Sequence, residues 1–102
     1  MSSGEATGGP VSTSRRERIE KKLREALQAD SVEVVDESHL HAGHAGAKSG
    51  KGHFRVRIVS ERFAGLSRVQ SQRLVFAALA DEMESEIHAL AMQTLTPDEA
   101  TS

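Results

Sequence analysis

Residues 53–94 read HFRVRIVSERFAGLSRVQSQRLVFAALADEMESEIHALAMQT, and this stretch decides the fold. In "HFRVRIVS", Phe54, Val56 and Ile58 alternate with Arg55 and Arg57. A period of two means a strand with one covered face and one basic, wet face. "ERFAGLS" reads as a turn, in which Gly65 supplies backbone freedom. Ser67 with Gln70 three residues later is a capping box, so a helix starts there. "RVQSQRLVFAALADEME" carries Val75, Leu79 and Met83 four apart, widened by Leu74 and Ala78, and reads as the main helix. "IHALAMQT" returns to strand, and simple alternation places His88 on the same side as Leu90 and Met92. Two strands joined through a helix are expected to lie parallel, with a right-handed crossover.

Working outward, "STSRRERIEKKLREALQA" is a helix. Ser14 and Glu17 form its capping box, and Ile19, Leu23, Ala26 and Leu27 form one apolar stripe. "SVEVVDES" is a short strand rich in valine, ended by Asp36 to Ser38. It is close enough to the next strand to form an antiparallel hairpin across a long loop. After the third strand, Thr96, Pro97 and Glu99 have the pattern of a helix start. The order α-β-β-α-β predicts an α+β fold with a small three-stranded mixed sheet and helices on one face. Residues 1–13 are expected to be a disordered tail, 14–96 the domain, and 97–102 a short C-terminal tail.

A chain of 102 residues is one domain. Without its tails it keeps roughly 80 residues for a core, too few for a deep pocket. There is no cysteine, so disulfides and thiolate ligands from this chain are excluded. No apolar run reaches the ~18 residues of a membrane span, and the N-terminus has no signal-like apolar region. A soluble cytoplasmic chain is expected.

The net charge of −2 is unevenly spread. From Lys48 to Arg73 there are seven cations and one anion, Glu61, whereas Asp81, Glu82, Glu84 and Glu86 form an acidic run. Such asymmetry fits a face for nucleic acid or an acidic partner, and equally a surface with clustered charge.

Four of the five histidines lie in "SHLHAGHAGAKSGKGHF", residues 38–54. His39, His41 and His44 are two and three apart in a glycine-rich stretch, which is not the spacing of a helical zinc motif. Metal binding and simple solvation both remain open for this loop. His88 read alone is a packing histidine with one hydrogen bond.

The turn and helix offer a second candidate site. Arg62, Arg68 and Arg73, with Lys48 and Lys51 of the loop and Arg55 and Arg57 of the strand, are candidates to contact phosphates, and Ser67 opens a helix N-terminus that could hold an anion. Only three Phe and no Tyr or Trp argue against a base-stacking platform. Catalysis is the weakest class. Ser60, Ser67 and Ser71 have no visible His-plus-carboxylate partnership, and the acids of "ESEIH" read as solvated. No enzyme is expected.

"FRVRIVSERFAGLSRVQSQRLVFAAL" with "IHALAMQTLTPDE", preceded by "DES…HAGHAG", resembles the BolA family over residues 14–99. "SERFAGLS", "RLV" and "IHAL" are its most specific parts. The resemblance implies a class II KH-like fold, in accord with the element order. It also implies that His88, the histidine of "IHAL", is an iron–sulfur ligand, reversing the packing reading. The family's loop histidine lies nine residues before that of the "HF" pair. This implies His44, with His41 as the fallback, and leaves His53 structural or supporting. The remaining ligands of a two-iron two-sulfur cluster would come from a monothiol glutaredoxin and its bound glutathione. Histidine ligation raises a cluster's potential and makes it acid-sensitive, since imidazole must be neutral to ligate. The family is also linked to transcription control. Its usual Arg-His-Arg is Ser71, Gln72 and Arg73 here, which weakens that implication. The loop has no cysteine and is similar to the histidine-bearing subgroup.

Overall fold

The computed structural model describes residues 14–38 and 51–101. Helix α1 spans Arg15–Leu27, strand β1 Ser31–Asp36 and strand β2 Gly52–Val59. A 3₁₀ turn, Glu61–Phe63, leads to helix α2, Arg68–Ala78. A short helix α3, Ala80–Ser85, strand β3, Ile87–Leu95, and helix α4, Pro97–Thr101, complete the chain.

The sheet order is β1-β2-β3, with β2 in the centre. β1 pairs antiparallel to β2 from Ser31↔Val59 to Asp36↔Phe54, and β2 pairs parallel to β3. The parallel pairing follows from the helical crossover between β2 and β3, and both orientations are the expected ones. Phe54, Val56 and Ile58 face the helices and join Ile19, Leu23 and Leu27 of α1 with Val75 and Leu79 in one core. On the opposite face Glu33, Val35, Arg55, Ala91 and Gln93 are exposed, and Arg57 is half-buried.

The three capping boxes form at Ser14/Glu17, Ser67/Gln70 and Thr96/Glu99. Each satisfies backbone N–H groups that a helix start leaves orphaned. Ser60 is a further pin. Fully buried, its hydroxyl donates to the Leu27 carbonyl at 2.7 Å and accepts from the Arg62 N–H at 3.1 Å. It ties the end of α1 to the start of the turn.

Two packing expectations need correction. Ala26 is exposed, so the α1 stripe is narrower than its spacing predicts. The expected single main helix breaks at Leu79, whose backbone (φ −108°, ψ 22°) leaves the helical region. Leu79 is fully buried and anchors the break, while the redirected α3 turns Glu82 inward and leaves Met83 half-buried. His39, His41, His44 and Lys48, like the expected tail 1–13, lie outside the described residues.

Candidate functional site

The parallel pairing of β2 and β3 begins with an irregularity. Gly52 is opposite Ile87, but His53 is opposite Ala89, leaving His88 as the extra residue of a bulge. Bulges are rare between parallel strands, and they re-aim a side chain. Ile87 is 2% exposed, and Leu90 and Met92 pack against the same core. Counting back in twos from Met92 puts His88 inside. The extra residue resets the count, so Ile87 goes in and His88 comes out to solvent. The expected side for His88 is thus corrected. Its ring lies beside that of His53, with centroids 5.1 Å apart and planes tilted by 45°.

This corner is held from several directions. The carbonyl of Glu86, two residues before His88, accepts from the Gly52 N–H at 2.8 Å and from Arg15 Nη1 at 3.3 Å. Arg18 pairs with the Glu86 carboxylate. The Arg15 guanidinium also stands 6.0 Å from the centre of the Phe54 ring, within reach of a cation–π contact. On the other side, His53 N–H donates to Ser38 Oγ at 3.1 Å, and its carbonyl accepts from the Glu37 N–H at 2.7 Å. Glu37 in turn accepts from Arg55 Nε at 3.0 Å. Position 52 is too tight for a side chain unless its neighbours shift. A Cβ there would sit 2.6 Å from Ser38 Oγ and 2.7 Å from Phe54 Cε2.

The acidic run does not merely face water. Glu82 is buried and accepts from Lys22 Nζ at 2.8 Å, and Asp81 is 3.9 Å from the same ammonium. Together with Arg18–Glu86 these pairs bind α3 and the approach to His88 onto α1. The Glu82 hydrogen bond is the main cause that holds the Lys22 ammonium above its ordinary pKa of 10.5.

The second candidate site lies at the turn. Gly65 has φ +77°, a left-handed backbone that a side chain would strain. Ser67 Oγ is occupied by the Gln70 N–H at 3.1 Å, so its first role is the cap. Arg62 donates to Gln28 Oε1 at 3.2 Å. Arg68 and Arg73 are exposed, and Lys51 is half-buried at the start of β2. Val69 and Phe76, 54% and 40% exposed, break up the basic surface. Ser71 and Gln72 line a cleft of about 380 Å³ between α2, the end of β3 and α4.

The structure therefore brings His88 together with His53, a residue whose sequence position suggested only support. The sole hint was its place just after Gly52. The bulge that makes the contact depends on pairing across 35 residues of chain, which no local pattern reports. Of the two expected ligands, His88 is exposed on a fixed corner, and His44 falls outside the described residues. This chain has no thiol, so an exposed imidazole such as that of His88 is the kind of donor it could offer to a metal centre.

The family model described as "BolA-like protein" matches residues 23–99. The DNA-binding transcriptional regulator BolA of Escherichia coli is 47% identical over 81 residues, 79% of this chain and 74% of that protein. Human BolA-like protein 1 is 46% identical over 96 residues, 94% of this chain and 65% of the human protein. The BolA domain of SufE1 from Arabidopsis thaliana superposes with a TM-score of 0.75 at 44% identity, covering 84% of this chain and 95% of that domain. No helix among the described residues is long and apolar enough to cross a membrane. By sequence and by fold, the chain belongs to the BolA family.

Proposed function

We propose that this protein is a partner of a monothiol glutaredoxin, with which it shares a two-iron two-sulfur cluster in iron–sulfur trafficking or iron sensing. The observation that carries the reading is the exposed His88 on its braced bulge. A ligand offered to another molecule's cluster has to be accessible, and it has to be held still. His88 supplies one imidazole and His44 the second, with His41 as the fallback. The partner's cysteine and glutathione supply the two sulfurs. The cluster brings electron-transfer and cluster-delivery chemistry. This chain's residues bind and orient it, and no catalytic role is assigned to any of them.

The test mixes the protein with a monothiol glutaredoxin, glutathione, iron and sulfide. A coloured heterodimer is expected, with a visible spectrum that changes in His88→Ala and in His44→Ala. Spectra identical to the parent's in both variants would remove the ligand assignment.

A second reading is a DNA-binding regulator that uses Arg62, Ser67, Arg68, Arg73 and Lys51. It is favoured by the exposure of Arg68 and Arg73 and by the likeness to a DNA-binding transcriptional regulator of Escherichia coli. Binding to duplex DNA should then fall steeply with salt and weaken in the Arg68→Ala/Arg73→Ala double variant. No binding at low salt would dispose of it.

A further inference from the structure

We propose that the cleft between β3 and α2 takes an extended, acidic segment of a partner protein, which adds to the sheet as a further strand. The edge is the first argument. β1 and β3 are the two edges of the sheet, and they are unequally guarded. β1 is six residues long and carries Glu33 and Asp36. β3 is nine residues long, and over residues 89–95 it has no charged side chain and no proline. An edge strand offers a row of free main-chain donors and acceptors, which charge, proline, a bulge or a covering element normally blunts. The bulge at His88 guards only the start of β3. Helix α4 follows its end and contains no buried residue. Among the described residues, 90–94 make no main-chain hydrogen bond outside the pairing with β2.

The cleft is the second argument. Its volume of about 380 Å³ lies along the end of β3, opposite Arg68 and Gln72 of α2. An extended peptide laid along a sheet edge gains affinity from its main chain and specificity from its alternate side chains. Met92, half-buried, and Leu66, exposed, offer an apolar seat for one of those side chains. Charge is the third argument, and it selects the segment. Arg68 and Glu99 both line the cleft, yet no ion pair joins them, and Arg68 has no ion-pair partner among the described residues. Residues 62–80 include no acid that could compete for its guanidinium. Glu99 turns one carboxylate oxygen to the Thr96 N–H at 2.8 Å. An acidic side chain is therefore admitted beside Arg68 and rejected beside Glu99. A nucleic-acid backbone could meet Arg68 as well, but it has no alternating N–H and C=O groups to offer the edge.

The site uses neither a cluster nor DNA, so either proposed function can fail without it. The full-length chain is used to select short random peptides from a display library. Enriched sequences should share an acidic residue at one position. The same selection on Arg68→Glu, an exposed position, should replace that acid with lysine or arginine. One enriched peptide is then made in two forms, each N-methylated on a different set of alternate residues. In a strand, one set of N–H groups faces β3 and the other faces away. By fluorescence anisotropy, one form should lose about tenfold or more in affinity and the other stay within about threefold of the parent peptide. No enriched peptide, a preference for acid unchanged in Arg68→Glu, or equal affinity of the two methylated forms would each overturn the proposal. A dimer in sedimentation that the peptide does not dissociate would also overturn it, by assigning the edge to a second copy of this chain.

Discussion

Gly52 bears on the site more than its lack of a side chain suggests. It is opposite Ile87, it donates to Glu86, and it precedes the residue whose ring meets His88. A methyl group there collides with Ser38 Oγ, the atom that receives the His53 N–H. Neither obstacle is the loose end of a long side chain. Gly52→Ala should therefore cost about 1–3 kcal/mol in urea unfolding, the range for overpacking a tight site. It should also shift the His53 and His88 ring resonances. Stability and ring signals equal to the parent's would mean that Ser38 and Phe54 yield freely, and that the corner is softer than its hydrogen bonds imply. Nothing near Gly52 in the sequence announces this. Ser38 is 14 residues away and reaches it only because the hairpin closes.

At the scale of elements, what could be read was local. The capping boxes at Ser14, Ser67 and Thr96 are patterns four residues long, and all three form. The alternation of Phe54, Val56 and Ile58 was equally legible, because a strand's period is a property of the strand itself. The bulge at His88 and the break at Leu79 were not. Each is set by a neighbouring element: the pairing with β2 in one case, burial in the core in the other. The same distinction separates two roles for Ser67. As a cap it should lose about 1 kcal/mol in Ser67→Ala and little in Ser67→Asp, since Asp also caps and suits the helix N-terminus. As a phosphate contact it should tolerate alanine better than the negative charge of aspartate. Thermal unfolding and DNA titration of both variants separate these effects. An Ser67→Asp protein as unstable as Ser67→Ala would show that the hydrogen bond at Ser67 is not what holds the start of α2.

For the whole molecule, the uneven charge has an internal purpose at its acidic end. Lys22 and Arg18 of α1 face Glu82, Asp81 and Glu86, so the run that looked like solvated surface instead joins α1 to the element leading into His88. Lys22 makes this testable through pH. Its carboxylate neighbours favour the charged ammonium, Glu82 by a direct hydrogen bond, and hold its folded-state pKa above 10.5. A group whose folded pKa is raised adds stability that is complete below its unfolded pKa and lost as pH climbs through the folded one. The effect therefore belongs to alkaline solution and leaves neutral pH untouched. This chain is well suited to the measurement, because it has neither tyrosine nor cysteine to titrate in the same range. Urea midpoints at pH 8 and pH 11 should fall further apart in the parent than in Lys22→Met, and high salt should narrow the difference, since the ammonium is partly exposed. The remaining lysines, Lys21, Lys48 and Lys51, are common to both proteins and cancel. Equal alkaline losses in the two would show that the Lys22–Glu82 contact contributes nothing to the fold. The bracing of the His88 corner would then rest on Arg15, Arg18 and Gly52 at Glu86.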